Sequence, residues 1–159
     1  MKKTLFIIVC IALSSLAAWA QDYRQAFVEI QQAFEQRLPA TLGHLQQYLE
    51  DYPYTTYSDE VRLMIGVLKT EKGDYKQASK VLQTVNRKNL SRQTESMWYF
   101  YAGYSYIQQE EYKKALPLFL ELKKHQTLYT PHATYYAGYC YYSQQDFAHA
   151  MAEFLAVER

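Results

Sequence analysis

The sequence predicts an all-α protein, an α-solenoid of stacked helix–turn–helix repeats, and three observations carry that expectation. One pattern of small and aromatic residues recurs three times in register. Within each copy the apolar residues fall three and four positions apart, which places them on one face of a helix. Only 5 Gly and 4 Pro punctuate 159 residues rich in Gln, Glu, Lys, Leu and Ala, a composition that favours helix over sheet.

The recurrence is read directly from the residues. Ala102-Gly103-Tyr104-Ser105-Tyr106 aligns with Ala137-Gly138-Tyr139-Cys140-Tyr141 at an offset of 35. The match continues as Tyr112 with Phe147, Ala115 with Ala150 and Phe119 with Phe154. A copy 37 residues upstream sets Gly66 with Gly103, Tyr75 with Tyr112, Ala78 with Ala115 and Leu82 with Phe119. Each copy reads as two helices. The second carries the stripe Tyr75, Ala78, Leu82, Val85, repeated as Tyr112, Ala115, Phe119, Leu122 and as Phe147, Ala150, Phe154, Val157. Short polar breaks separate the helices at 71–74, 108–111 and 143–146. Gly73 suits the left-handed residue that ends a helix, and Asp74 suits the cap of the next. The small residues Gly66 and Ala78 predict close approach of paired helices, with Tyr75, Tyr112 and Phe147 filling the wedge near each turn. A larger side chain at Ala115 is expected to overpack this seam by about 1–3 kcal/mol.

The run Lys72-Gly73-Asp74-Tyr75-Lys76-Gln77-Ala78 resembles the centre of a tetratricopeptide repeat, a helix–turn–helix unit of about 34 residues. The family's first-helix glycine matches Gly66, Gly103 and Gly138, and its second-helix alanine matches Ala78, Ala115 and Ala150. Its first-helix tyrosine matches Tyr106 and Tyr141, while the first copy departs with Lys69. The resemblance covers residues 58–159, in three units of about 58–90, 91–129 and 130–159, and implies a right-handed superhelical solenoid. Upstream, residues 23–37 and 40–51 read as a further, degenerate helix pair, so that 21–57 forms a capping unit. Tyr52-Pro53-Tyr54-Thr55-Thr56-Tyr57-Ser58-Asp59-Glu60 resembles a stretch in envelope members of the family, among them the outer-membrane-assembly lipoprotein BamD and periplasmic proteins of Bacteroidota. Pro117, inside a second helix, is expected to kink it. The links that contain Lys88 to Gln93 and His125 to Thr130 are longer than the family minimum.

The two ends of the sequence carry their own expectations. Lys2 and Lys3, the apolar run Leu5 to Leu16, and Ala18-Trp19-Ala20 form a leader, with cleavage expected after Ala20 and export to the periplasm. The run is shorter than the roughly 20 residues of a membrane span. Cys10 lies in the middle of that run, so no lipid anchor is expected. The 139 residues left after the first twenty of 159 keep Cys140 alone, which cannot form an internal disulfide. At the other end, no solvating helix follows the last pair. That predicts either an array continuing past Arg159, the favoured reading, or a partner over an apolar end that includes Phe154 and Val157.

Chemistry is sparse. The net charge of +1 becomes −1 once Lys2 and Lys3 leave with the leader, which gives no reason to expect nucleic acid as a partner. An RNA-reading helical repeat would need basic groove positions, and they are absent. No serine elbow, phosphate loop or dinucleotide fingerprint occurs, so no catalytic residue, cofactor or small-molecule substrate is expected. His125, His132 and Glu121 are too few for a zinc site, and no metal is expected. Asp59, Glu60, Glu110, Glu111 and Asp146 sit at helix starts, where the helix dipole favours them. Cys140 reads as a small core residue.

What the resemblance implies for function is a concave groove lined by first helices. Its positions carry over to Glu60, Leu63, Val67 and Thr70; to Met97, Phe100, Tyr104 and Ile107; and to His132, Tyr135, Tyr139 and Tyr142. Chaperone-binding members of the family grip a C-terminal carboxylate with Lys, Arg and Asn. Here those positions hold Leu63, Val67, Phe100, Tyr104, Tyr135 and Tyr139, so no carboxylate clamp is expected. A protein or peptide segment with hydrophobic anchors, from an envelope protein, is the expected partner. The rival expectation is that the same aromatics pack between repeats. A structural arm with its effector downstream is the alternative function.

Overall fold

The computed structural model describes residues 21–157, and every regular element among them is helical. The leader read at 1–20 lies outside the described residues. The chain divides into two compact units, Met1–Ser58 and Asp59–Arg159.

In the first unit, helix α1 covers residues 21–35 and α2 runs Thr41–Asp51. Arg37 and Ala40 take positive φ in the turn between them. The pair is held by rings rather than by a glycine–alanine seam. Phe27 stacks on Tyr57 at 4.0 Å, and Tyr48 sits edge-on to Phe27 while its hydroxyl donates to the Tyr23 carbonyl at 3.2 Å. Such ring pairs contribute about 0.5–1.5 kcal/mol each beyond their burial.

The second unit is three helix pairs: α3 (Ser58–Glu71) with α4 (Tyr75–Gln83), α5 (Arg92–Ile107) with α6 (Tyr112–Lys123), and α7 (Thr130–Ser143) with α8 (Phe147–Val157). The turns inside the pairs are the same object three times. The amides of Asp74, Glu111 and Asp146 each donate back to the carbonyls of Lys69, Tyr106 and Tyr141 at 2.9 Å. This is the six-to-one bond that closes a helix through a left-handed residue. That residue is Gly73 in the first turn, but Glu110 (φ 59) and Gln145 (φ 65) in the others. The side chains of Asp74 and Asp146 then cap the next helix on the amides of Gln77 and His149.

The recurrent glycines do permit close approach, though not against the alanines. A Cβ on Gly66 would lie 2.5 Å from Leu82, one on Gly103 2.7 Å from Phe119, and one on Gly138 2.7 Å from Phe154. The large residue one turn beyond each alanine is what seats on the glycine. Ala78, Ala115 and Ala150 are themselves buried. Between pairs, Trp98 donates to the Leu82 carbonyl at 2.7 Å, Thr70 and Ser105 share a buried hydroxyl contact at 2.9 Å, and the Phe119 ring stacks on Tyr136 at 5.3 Å. Pro117 does not interrupt α6. It is exposed, so water can serve the carbonyl that loses its intrahelical donor.

Asp59 does more than meet a helix dipole. Its carboxylate, almost wholly buried, accepts from the Asn86 amide at 3.0 Å and the Asn89 side chain at 2.6 Å, clasping the link that contains the 3-10 turn Arg87–Asn89. Arg62 completes the set at 3.1 Å. At the far end, the open apolar face is made by Phe147, Met151, Leu155 and Val157, whereas Phe154 turns inward over Gly138. Phe147 is 58% exposed and meets Tyr142 at its ring, so it fills its wedge only in part.

Candidate functional site

The positions expected to line a groove do not share one fate. Leu63 and Val67 on α3 are 1% and 0% exposed, and Ile107 on α5 is 7% exposed. These three are buried side chains with no surface to offer a partner in this structure, which corrects the expectation that they line the groove. Thr70 is buried too, its hydroxyl donating to the Gly66 carbonyl at 2.9 Å. Glu60 is half-buried, and burial pushes its carboxyl above the usual range. The positions that keep exposed surface lie on α5 and α7. Met97, Phe100, Tyr104 and Tyr139 are half-buried, while His132, Tyr135 and Tyr142 are exposed.

The rings among them fall into one large cluster around Phe100 and Tyr104 and two separate pairs, Tyr139 with Tyr112 and Tyr142 with Phe147. Phe100 stacks against Tyr104 at 6.1 Å and against Tyr129 at 5.0 Å, and meets the edge of His132 at 5.9 Å. Tyr104 stands edge-on to Tyr75 at 6.2 Å and to Tyr136 at 5.5 Å. Tyr139 meets Tyr112 at 5.9 Å, and Tyr135 touches both Tyr136 and Phe154. The aromatic stripe is therefore core on one side and surface on the other. Phe100, Tyr104 and Tyr139 make ring contacts that join neighbouring repeats, while Tyr135 and Tyr142 touch rings of their own pair and stay exposed.

Tyr136, which the family pattern does not mark, sits at the centre of the large cluster. It stacks on Phe119 and touches Phe100, Tyr104 and Tyr135, and burial raises its phenol pKa. The available signal was its alignment with Tyr101 at the same offset of 35, an aromatic pair outside the family pattern.

The remaining candidates are otherwise engaged. His125 Nδ1 lies 3.0 Å from the Ser96 hydroxyl and its ring stands edge-on to Tyr99, Glu121 pairs with Lys124, and His132 faces Phe100. No three His, Cys, Asp or Glu residues lie together as a metal site among the described residues. The Cys140 thiol is fully buried and pushed up to about 12 by that burial, which makes it unreactive at neutral pH. No described helix is long and apolar enough to cross a membrane.

The geometry defines a tetratricopeptide-like helical-repeat fold, an α-solenoid. No family model matches the sequence, and no curated protein matches it. Among solved structures, the chain is similar to a double mutant of MamA ("MamA RS-1 ArsTM double mutant"), a tetratricopeptide-repeat protein. The TM-score is 0.69 at 18% identity, over 85% of this chain and 72% of that one. The likeness is one of fold.

Proposed function

We propose that the protein is a non-catalytic interaction scaffold of the cell envelope that holds a polypeptide segment against the aromatic face of α5 and α7. The observation that carries this reading is the run of exposed and half-exposed rings at Phe100, Tyr104, Tyr135, Tyr139 and Tyr142. Tyrosine gives a large rigid contact and a hydroxyl at low entropic cost, so it suits recognition of extended chains. Only two of the carried-over groove residues, Glu60 and His132, are ionisable other than tyrosine, so apolar anchors should dominate. The envelope setting rests on the leader read at 1–20, with cleavage after Ala20, and on the resemblance of the Tyr52–Glu60 stretch to periplasmic members of the family.

The decisive experiment is affinity capture from an envelope extract with the wild type and with a Tyr135→Ser, Tyr142→Ser double variant. Both tyrosines are exposed, so the variant should fold normally and lose the partner. Equal recovery by both proteins would reject the groove assignment. A second reading makes the chain an arm of a longer repeat protein. The open apolar face of α8 supports it, because a further helix of the same kind would cover Phe147, Met151 and Leu155.

A further inference from the structure

The long α6–α7 link meets the first turns of α5 at one cavity. A space of about 960 Å³ opens between the start of α5, at Arg92, Gln93 and Met97, and the α6–α7 link, at residues 125–129 with Pro131. The link is tied to α5 there. Arg92 Nη2 donates to the His125 carbonyl at 2.8 Å, and the Ser96 hydroxyl meets the His125 ring 3.0 Å away. The far wall is shaped by Gln126 in a left-handed conformation (φ 52) and by the Thr127 amide, which donates to the Thr130 hydroxyl at 2.9 Å.

Two features of this cavity specify an occupant. Its walls are largely apolar: Met97 and Tyr129 are half-buried and Leu128 is 92% exposed beside them. None of the lining residues is acidic, and Arg92 supplies the one permanent charge. Solenoid stacking does not require an exposed leucine beside a cationic rim whose lining holds no acidic residue. A ligand with an apolar side chain next to a carboxylate satisfies both. The cavity also adjoins the aromatic face, since Tyr129 stacks on Phe100 and Met97 lies one turn before it.

We infer that the start of α5 and the long α6–α7 link build a side-chain pocket at one end of the groove, which selects an extended peptide segment carrying a bulky apolar residue flanked by Asp or Glu. The apolar side chain enters between Met97, Leu128 and Tyr129, and the neighbouring carboxylate meets the Arg92 guanidinium. This deepens the groove reading and rests on it.

The test is selection of short random peptides displayed on phage against the purified protein, followed by fluorescence polarisation with the enriched sequences. Leu, Phe or Met beside Asp or Glu should be enriched. Replacing the acidic residue by Lys should weaken binding about tenfold, and added salt should shrink that gap. Arg92→Glu should reverse the preference, so that the Lys-flanked peptide binds it better than the original. That exchange also shows that the variant is folded. Enrichment of basic or purely polar peptides, no enrichment, or an unchanged preference in Arg92→Glu would overturn the pocket. Failure of the pocket is separable from failure of the groove. In envelope capture, loss of the partner by the Tyr135→Ser, Tyr142→Ser variant but not by Arg92→Glu rejects the pocket alone, whereas retention by both rejects the groove as well.

Discussion

Helices α6 and α8 hold the same place in successive repeats, yet only one is enclosed. Phe119 on α6 is 0% exposed, and its counterpart Phe154 is half-buried. Tyr112, Leu116 and Leu120 on α6 are half-buried, whereas Phe147, Met151 and Leu155 on α8 are 58%, 66% and 53% exposed. The difference does not lie in the stripe, which is apolar in both. It lies in α7, which lays Tyr136 over Phe119 and Tyr139 over Tyr112. Burial in this fold is conferred by the following pair, so stability is a property of interfaces between repeats more than of each repeat alone. The outward positions sharpen the contrast. Lys113, Pro117 and Glu121 on α6 become Ala148, Ala152 and Ala156 on α8, so two charged positions of α6 are alanine on α8.

The largest expected consequence separates the two phenylalanines. Phe119→Ala should cost about 3–5 kcal/mol, because it empties a site closed on all sides. Phe154→Ala should cost less, about 1–3 kcal/mol, since part of its surface already meets water. Urea unfolding of the two variants reads the gap directly. Equal losses would mean that α8 is covered in solution. Next come the glycines beneath those rings. Gly103→Ala drives a Cβ to 2.7 Å from an immobile Phe119 and should destabilise by about 1–3 kcal/mol. Gly138→Ala makes the same 2.7 Å approach to Phe154, whose ring can swing outward. There the helix-propensity gain of about 1 kcal/mol should leave the change near neutral. A Gly138→Ala variant as damaged as Gly103→Ala would show that the Phe154 ring is held in place.

Much of this was legible in the sequence because it is periodic. The offsets of 35 and 37 locate the pairs, and helical spacing finds the face of each second helix. Periodicity cannot say what lies opposite a face. The stripe that contains Ala115 and Phe119 was clear, but which of them seats on Gly103 depends on how two helices are rotated against each other. For the same reason Leu63, Val67 and Ile107 read as groove positions and proved to be buried, although they share the register of Phe100 and Tyr104. The clasp of Asp59 on Asn86 and Asn89 joins residues about thirty positions apart and leaves no local signature. The cavity between α5 and the long α6–α7 link was equally hidden, because unusual length shows where extra chain is but not which helix it meets.

The smallest effect concerns the turns, where the three repeats differ at one position. Gly73 takes φ 81 without strain, while Glu110 and Gln145 adopt φ 59 and φ 65 with a side chain attached. A left-handed residue bearing a Cβ costs about 1–2 kcal/mol relative to its right-handed form, and glycine avoids that penalty. Its greater freedom in the unfolded chain returns part of the gain. Glu110→Gly and Gln145→Gly should each therefore stabilise by about 0.5 kcal/mol, seen as a small rise in the urea midpoint at constant slope. Gly73→Gln should lose a similar amount. The comparison between repeats decides the interpretation. If Glu110→Gly stabilises but Gln145→Gly does not, the α7–α8 turn is already frayed in solution, as a pair with an exposed α8 face should be. Equal gains would place the last pair within the same cooperative unit as the one before it.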